Sequence, residues 1–252
     1  MSKNYWSIIL SSDLHFGYLD YLKDVGIRLD KIDHVHKIIQ MKDEYNVQMV
    51  ITAGDLTENG LDGRSILCWR KNTHDELTPM IDKWVTPLEN AGIDVLLTIG
   101  NHDTYTGQPY VYKPVFEYIK KKYNATCYPL VYMEHSGCYT QKTNNILFIS
   151  LGIYPKNLKF LKKNLPKDKN DAIIIFYHYN TVDEAYSDWW SDEEKEKFYE
   201  VIKDYNILAI INGHIHLSYK KKWKGFTMLN GGGSKLIRMN MEDNKYISED
   251  FI

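Results

Sequence analysis

Five short polar blocks follow one another along the chain, and each carries side chains that bind metal ions. The blocks are Asp13-Leu14-His15, Gly54-Asp55, Gly100-Asn101-His102-Asp103, His178 and Gly213-His214-Ile215-His216. Carboxylate oxygens, imidazole nitrogens and an amide oxygen suit divalent cations of intermediate hardness. Together they offer seven candidate ligands, which is too many for one tetrahedral zinc ion but suits a pair of metals with positions left for solvent. The candidates are Asp13, His15, Asp55, Asn101, His178, His214 and His216.

Each block comes directly after a short apolar run that predicts a buried strand. The runs are 6–10, 49–53, 95–99, 173–176 and 207–211. Side chains placed just past the carboxyl ends of such strands converge on one edge of a sheet, where open α/β folds place their sites. We therefore expect the five blocks to meet at a single metal centre.

The residue types indicate which chemistry such a centre performs. Two-metal phosphoester hydrolysis needs a carboxylate that bridges both ions, which lie about 3.5–4 Å apart. It needs neutral imidazoles that hold each ion without cancelling its Lewis acidity. It also needs an open position where a bound water ionises near neutral pH. The blocks supply all of these donors, and they predict a metal-dependent phosphoester hydrolase.

The order of the blocks resembles the calcineurin-like metallophosphoesterase superfamily, whose signature runs D-x-H, G-D, G-N-H-D/E, H and G-H-x-H. The match is complete and spans residues 13–216. The resemblance implies an αββα sandwich and a pair of metal ions. It also implies a division of the ligands: Asp13, His15 and His216 at the first ion, Asn101, His178 and His214 at the second, and Asp55 between them.

The same resemblance implies roles for the residues beside the ligands. A hydroxide bridging the two metals would attack phosphorus in line. His102 would contact the scissile phosphate, with Asn101, and would protonate or stabilise the leaving oxygen without binding a metal. Asp103 would orient the His102 ring. The metal could be manganese, iron, zinc, nickel or magnesium, and the residues alone do not select one.

Two departures from the superfamily pattern reduce the range of substrates that we expect. Protein Ser/Thr phosphatases of this superfamily follow the bridging Asp with a D-R-G segment and place an Arg before G-N-H-E. Here Asp55 is followed by Leu56-Thr57-Glu58-Asn59-Gly60, and Ile99 precedes Gly100. The chain is therefore more similar to the phosphodiesterase and nucleotide-hydrolase branches. The segment Tyr177-His178-Tyr179-Asn180 gives no support to cyclic-nucleotide hydrolysis in particular.

Aromatic and amide side chains close to the blocks have two interpretations. They could form a rim that stacks on a base or sugar, or they could be packing residues, which is the more common use of buried aromatics. The sequence favours packing, and keeps Tyr105 and Asn180 as candidate substrate contacts. The full set is Tyr105, Tyr179, Asn180, Trp189 and Trp190.

Apolar periodicity and capping signals predict the remaining elements. Helices are expected over 30–45, 75–90, 114–123, 157–164 and 191–204, the last opened by a Ser191–Glu194 capping box. Further strands are expected over 138–141, 145–151 and 172–177, with short strands after 225. Loops are expected over 16–29 and 56–74, and a tight turn between strands at 231–233. The pattern predicts an α/β fold, an αββα sandwich of two packed mixed sheets flanked by helices, in one domain over 1–252.

Other polar clusters are assigned ordinary structural roles. We expect surface or capping positions for His34, His36, His74 and His135. The lysines of 220–224, interleaved with Trp223, favour a solvated hairpin whose edge they blunt, over a site for phosphate or an anionic membrane. The cysteines Cys68, Cys127 and Cys138 lack metal-site spacing, and we expect reduced packing residues.

The composition of the chain limits the classes of partner and substrate that we expect. The net charge of −2 disfavours a dedicated nucleic-acid binder. A nuclease acting on a short single strand in a narrow channel is the alternative enzyme. A non-catalytic scaffold is disfavoured because His102 and every candidate ligand are present. No apolar stretch reaches the ~20 residues of a membrane span, and the first strand begins too early for a signal peptide. We expect a cytoplasmic enzyme acting on a small phosphoester, and the oligomeric state is left open.

Overall fold

Two β-sheets, each containing strands of both directions, form the centre of the fold. The computed structural model describes residues 3–17, 31, 33–58, 60, 75–104, 114–129, 135–182 and 189–252, without the side chains of 127–129, 135 and 136. Most of the loops expected over 16–29 and 56–74 therefore lie outside the described residues. So do Tyr105, His74, Cys68 and the side chains of Cys127 and His135.

The described strands and helices follow the order expected from the apolar runs. The strands are β1 Tyr5–Ser11, β2 Val47–Ala53, β3 Asp94–Thr98, β4 Thr126–Pro129, β5 His135–Thr143, β6 Ile146–Ser150, β7 Ala172–Phe176, β8 Ile207–Asn212, β9 Ser218–Trp223, β10 Phe226–Gly231, β11 Ile237–Glu242 and β12 Lys245–Phe251. The helices are α1 His34–Tyr45, α2 Leu77–Met80, α3 Thr86–Asn90, α4 Pro114–Tyr123, α5 Leu158–Asn164 and α6 Asp192–Ile202. A π-helical turn, Ile81–Val85, joins α2 to α3.

The strand order brings the ends of the block-bearing strands to one edge. Among the described residues, the first sheet has the order β12-β11-β1-β2-β3 and the second β4-β5-β6-β7-β8-β10-β9. Strands β1, β2 and β3 run parallel, as do β6, β7, β8 and β10. The blocks at the ends of β1, β2 and β3 thus face those at the ends of β7 and β8.

Alternating apolar residues give each strand two buried faces. On β1, Ile8 and Leu10 pack between the sheets against residues such as Phe148 of β6. Ile9 points the other way, into a cluster that includes Val35 of α1. The equivalent outer face of the second sheet packs on α6. Helices therefore cover both outer faces, and the αββα sandwich is confirmed.

Most predicted helices are confirmed within a few residues. Helix α4 begins at Pro114, which fits the first turn because proline has no N–H to lose there. The Ser191–Glu194 capping box opens α6. The segment expected to be one helix over 75–90 contains the π-helical turn, which lies between Pro79 and Pro87. Strand β4 was not predicted.

Two expectations about the rest of the chain are wrong. The glycines at 231–233 do not make a tight turn between strands, because Gly231 ends β10 and the next strand, β11, begins at Ile237 in the other sheet. They cross between the sheets, and the buried Lys31 donates to the carbonyls of Gly231 and Gly233. His34 is buried instead of exposed, and its Nε2 donates to the Ser234 carbonyl at 3.0 Å. His36 is exposed, as predicted.

The lysine-rich hairpin is confirmed. Strand β9 is the edge strand of the second sheet, paired antiparallel with β10. Lys220 forms an ion pair with Glu249 and Lys224 one with Glu196, so the lysines cover the edge with charge. Nowhere in the described part of the chain is a helix both long and apolar enough to traverse a bilayer.

Candidate metal centre

The strand ends bring the candidate ligands of all five blocks to one place. Asp13 and His15 follow β1, Asp55 follows β2 and Asn101 follows β3. In the second sheet, His178 follows β7, and His214 and His216 follow β8. The side chains of Asp13, Asp55 and His178 are fully or almost fully buried, whereas His216 is exposed. The site is therefore a cleft whose floor is buried and whose rim is open to solvent.

Five of the candidate ligands have left-handed backbone conformations. A non-glycine residue with positive φ is uncommon, and each costs about 1–2 kcal/mol. The strain is concentrated in the short segments just after β1, β2 and β8, which carry the candidate ligands into the cleft. The residues are Asp13 (φ 56°), His15 (φ 50°), Asp55 (φ 48°), His214 (φ 76°) and His216 (φ 53°).

Backbone hydrogen bonds join the blocks to one another. Asp13 N–H donates to Gly54 O at 3.0 Å, and Gly213 N–H donates to His178 O at 3.0 Å. The buried carboxylate of Asp13 accepts the N–H of His214 at 3.0 and 3.1 Å. Each block thus fixes the position of another, which holds the strained turns in place.

The ligand atoms form two groups that share a region around Asp55. Asp13, His15 and His216 each offer an atom within 4.8 Å of the others, and Asp55, His178 and His214 do the same. Asp55 Oδ2 lies 3.1 Å from His178 Nε2 and 3.8 Å from His15 Nε2. One carboxylate oxygen therefore faces an imidazole from each group.

The hydrogen bonds of His178 show that a cation fits this place. Its Nδ1 lies 2.8 Å from the carbonyl of Ala53, which only accepts, so Nδ1 carries hydrogen. Its Nε2 faces two oxygen acceptors, Asn101 Oδ1 at 3.0 Å and Asp55 Oδ2 at 3.1 Å. Lone pairs converge there, and a proton or a metal ion must lie among them. The donor set fits the metal ions that the sequence predicts.

The pKa values of the buried groups also indicate that a cation fits at this place. Burial lowers the pKa of His178, but the carboxylates of Asp55 and Asp13 outweigh it and raise that pKa to about 9. Burial raises the pKa of Asp55, and the neighbouring histidines, His178 first, overcome this and hold it well below its usual range. Burial and the nearby charge of His178 lower the pKa of His214 to about 3. Without a metal, a proton on His178 balances the charge of Asp55.

His102 lies at the same place but is anchored differently. Its Nδ1 lies 2.9 Å from the backbone carbonyl of Glu58, which places hydrogen on Nδ1. Its ring meets the His15 ring edge-on, with centroids 4.7 Å apart, and an atom of the ring lies within 4.8 Å of His15 and Asp55. The His102 side chain is 36% exposed. No described residue forms a hydrogen bond with its Nε2, which leaves this atom available to a group that enters the cleft.

The Asp103 carboxylate has a different set of partners from the one expected. It accepts backbone N–H groups from Leu56 at 3.2 Å, Thr57 at 2.8 Å and Gly100 at 2.8 Å, and the Thr57 hydroxyl at 2.9 Å. Among the described contacts, the His102 ring is oriented by Glu58 O instead. Burial and the charge of Asp55 raise the pKa of Asp103 to about 6, against the N–H donors. Asp103 is better described as the residue that joins the Asp55 loop to the Asn101 loop.

Comparison with known proteins agrees with this geometry. The family model of the calcineurin-like phosphoesterases matches residues 7–218, most of the chain. The chain belongs to the calcineurin-like phosphoesterase family. No protein of curated function matches it significantly by sequence.

Solved structures share the fold of this phosphoesterase at low sequence identity. A dimetal phosphatase from Danio rerio is 14% identical with a TM-score of 0.59, covering 98% of each chain. A purple acid phosphatase from yellow lupin seeds is 12% identical with a TM-score of 0.58, covering all of this chain and 54% of its own. GAP50, the anchor in the inner membrane complex of Plasmodium, is 13% identical with a TM-score of 0.55, covering 98% of this chain and 88% of its own. Family membership and this fold support metal-dependent phosphoester hydrolysis.

Glycines of this phosphoesterase let the ligands approach closely. Gly54 has φ 87°, and a Cβ there would lie 2.6 Å from His178 Nδ1. A Cβ on Gly232, in the crossover between β10 and β11, would lie 2.5 Å from Asp13 Oδ2. Sequence reasoning missed Gly232 and also Glu58, whose carboxylate contacts His15. The one local signal for Glu58 is its place three residues after Asp55.

The aromatic candidates divide into buried and exposed ones. Tyr179 and Trp190 are buried packing residues, and so is Asn180, whose Oδ1 accepts the hydroxyl of Tyr219 at 2.6 Å. The burial of Asn180 argues against the predicted substrate contact, and Tyr105 lies outside the described residues. Trp189 is 54% exposed and meets the His214 ring edge-on at a centroid distance of 5.0 Å. It is the candidate that extends the rim of the phosphoesterase site.

Proposed function

We propose that this chain hydrolyses phosphoesters at a two-metal centre in which Asp55 is the shared ligand. Asp13, His15 and His216 would hold one ion, and Asn101, His178 and His214 the other. The position of Asp55 Oδ2, which faces His15 Nε2 at 3.8 Å and His178 Nε2 at 3.1 Å, carries this proposal. A carboxylate placed between two imidazole groups serves two cations with one charge.

The side chains around the centre fit the hydrolytic reaction. When bound, the two ions supply Lewis acidity to the phosphoryl oxygens and lower the pKa of water. Asn101 and His102 would contact the phosphoryl group. As an attacking water oxygen bonds to phosphorus and the bond to the leaving oxygen breaks, a His102 ring protonated on both nitrogens would give its Nε2 proton to the leaving oxygen and keep the hydrogen on Nδ1. The hydrogen bond from Nδ1 to Glu58 O keeps Nε2 directed at the cleft during this step.

The rim favours a diester or nucleotide-type substrate with an apolar or planar group. The segment after Asp55 lacks the D-R-G arginine that protein phosphatases use, because Asn59 occupies its place. Trp189 presents an exposed indole directly beside His214. Indole faces stack on planar groups such as nucleobases. We infer that Trp189 contacts the organic part of the substrate.

Metal reconstitution tests the proposal most directly. Protein stripped by a chelator should regain hydrolysis of p-nitrophenyl phosphate or of its bis-ester when manganese, iron, nickel, zinc or magnesium is returned. A diester preference appears as a higher kcat/KM for the bis-ester. Loss of a labelled single-stranded oligonucleotide under the same conditions would favour the nuclease alternative. A reconstituted protein that binds two metals and cleaves none of these esters would support the scaffold interpretation.

A further inference from the structure

A glutamate outside the candidate ligand set contacts one of the candidate ligands directly. Glu58 Oε2 lies 2.7 Å from His15 Nδ1, the ring nitrogen that does not face Asp55. The His15 side chain is only 4% exposed and that of Glu58 is 26% exposed. A carboxylate offers only acceptor oxygens when ionised, so hydrogen lies on His15 Nδ1. In the neutral ring this leaves the lone pair on Nε2, which lies 3.1 Å from His216 Nε2.

The backbone holds Glu58 in this place. The segments that follow β1 and β2 run side by side, because His15 N–H donates to Asp55 O at 3.0 Å and Phe16 N–H to Leu56 O at 3.0 Å. Glu58 N–H completes the series by donating to Phe16 O at 2.8 Å. The carboxylate is therefore delivered to His15 by a short ladder of main-chain hydrogen bonds and not by a flexible loop.

The two histidines that face Asp55 Oδ2 have outer partners of different charge. His15 Nδ1 meets the anionic carboxylate of Glu58, whereas His178 Nδ1 meets the neutral carbonyl of Ala53 at 2.8 Å. The candidate ligands of the two groups also differ in charge, because the His15 group contains the carboxylate of Asp13 whereas the His178 group contains the neutral amide of Asn101. An anionic outer partner fixes the histidine tautomer and makes the ring a better donor to a metal.

We propose that Glu58 is a positioning residue that fixes His15 for metal binding and makes the Asp13–His15–His216 position the tighter of the two. This inference rests on the proposed two-metal centre. It gives Glu58 two separable effects, one from its hydrogen bond and one from its charge. Metal ions should then load in order, with the Glu58 side filled first.

Two substitutions of Glu58 separate these effects. Glu58→Gln keeps an oxygen that accepts the His15 Nδ1–H but removes the charge, whereas Glu58→Ala removes both. Titration calorimetry of the metal-stripped protein with zinc should resolve two steps. We expect Glu58→Gln to weaken the tighter step by about 10–100-fold and to leave the weaker step within about threefold. Glu58→Ala should weaken the tighter step further.

A spectroscopic measurement reports on the tautomer without activity. In zinc-loaded protein, long-range ¹H–¹⁵N spectra should show His15 with hydrogen on Nδ1 in the wild type and in Glu58→Gln. The matched control is Glu89→Gln, which breaks an ion pair with Lys122 at the surface and should change neither zinc step. Melting temperatures of all variants show whether a change reflects lost folding.

The outcomes distinguish this inference from the proposed function. If the wild type takes up no zinc, the two-metal centre fails and the role of Glu58 fails with it. If the wild type binds two ions and Glu58→Gln leaves both steps unchanged, only the role of Glu58 is refuted. Equal weakening of both steps in folded Glu58→Gln also refutes it, because the effect would then not belong to the His15 side.

Discussion

Asp55 Oδ1 accepts the backbone N–H of His102 at 2.9 Å. The other oxygen of the same carboxylate faces His15 and His178. Asp55 therefore connects the proposed metal positions to the backbone of the residue proposed to act on the leaving group. A change in Asp55 and a change in the His102 side chain should consequently have different effects, and metal content tells them apart.

Replacing Asp55 by Asn should empty both metal positions. The amide oxygen can still accept the His102 N–H, so the loop should keep its shape, but the charge shared by two cations is lost. Losing an outer partner of a ligand already lowers metal affinity by about 10–100-fold, and losing the shared ligand should exceed this. Elemental analysis after gel filtration measures the metal content. His36→Ala is the control, because His36 is exposed on α1 and should leave metal content at the wild-type value.

Replacing His102 by Ala should lower the activity and leave the metal content unchanged. A positioned acid–base group contributes about 10²–10⁴-fold to turnover, so kcat should fall in that range. The loss should be smallest for p-nitrophenyl esters, whose leaving oxygen needs little proton assistance, and greatest for alkyl or ribosyl esters. Metals lost in step with activity would instead make His102 a ligand. If every ester were slowed equally, His102 would be an electrostatic contact with the phosphate and not a proton donor.

Replacing Asp103 by Asn should destabilise the fold around the site. Its two oxygens accept three backbone N–H groups and one hydroxyl, and an amide would turn an N–H₂ toward at least one N–H donor. A buried donor without an acceptor costs about 1–3 kcal/mol, which lowers the melting temperature of a chain this size by roughly 2–12 °C. Asp82→Asn, at an exposed position, should melt like the wild type. An unchanged melting temperature with a loss confined to poor leaving groups would return Asp103 to a role on the His102 ring.

The raised pKa of His178 predicts opposite pH trends for metal affinity and for metal-free stability. Its pKa moves from 6.5 to about 9 in the folded chain, so the proton on His178 stabilises the metal-free fold below about pH 6.5 and that contribution is lost as the pH rises through 9. Metal must displace this proton, so affinity should rise by up to about tenfold per pH unit over the same window. His214, whose pKa is about 3, has no proton to lose. Calorimetry in buffers of different ionisation enthalpy should show at least one proton released per chain; no release near pH 7 would refute the protonated state.

Local sequence signals were sufficient to predict most of the helices and strands and the convergence of the five blocks. The apolar run at β2 and the proline that begins α4 give those elements with the observed bounds. The ligands converge because the ends of parallel strands share an edge, which needs only the strand directions. The apolar periodicity and the order of the blocks were therefore enough to predict the fold and the candidate metal ligands.

Hydrogen-bond partners that come from distant segments of the sequence could not be predicted in the same way. His34 is buried where α1 meets the β10–β11 crossover, and its hydrogen bond to Ser234 O joins residues 200 positions apart in the sequence. Glu58 reaches His15, and Asp103 reaches the Asp55 loop, through hydrogen bonds between different blocks. The residue type alone does not say which donor a carboxylate will contact. These contacts are therefore visible only in the three-dimensional structure.

Replacing Trp189 by Ala should weaken only those substrates that carry a planar group. Base–aromatic stacking contributes about 1–3 kcal/mol, so kcat/KM for thymidine 5′-(p-nitrophenyl phosphate) should fall by roughly 5–150-fold, mainly through KM. Methyl p-nitrophenyl phosphate has the same leaving group and no base, and should change by less than about threefold. Trp189→Phe should recover part of the loss, because phenylalanine keeps a stacking face, and metal content should be unchanged throughout. Tyr5→Ala, which removes an equally exposed ring at the start of β1, is the control. Equal losses for both esters would place Trp189 in support of the His214 ring and not in substrate binding.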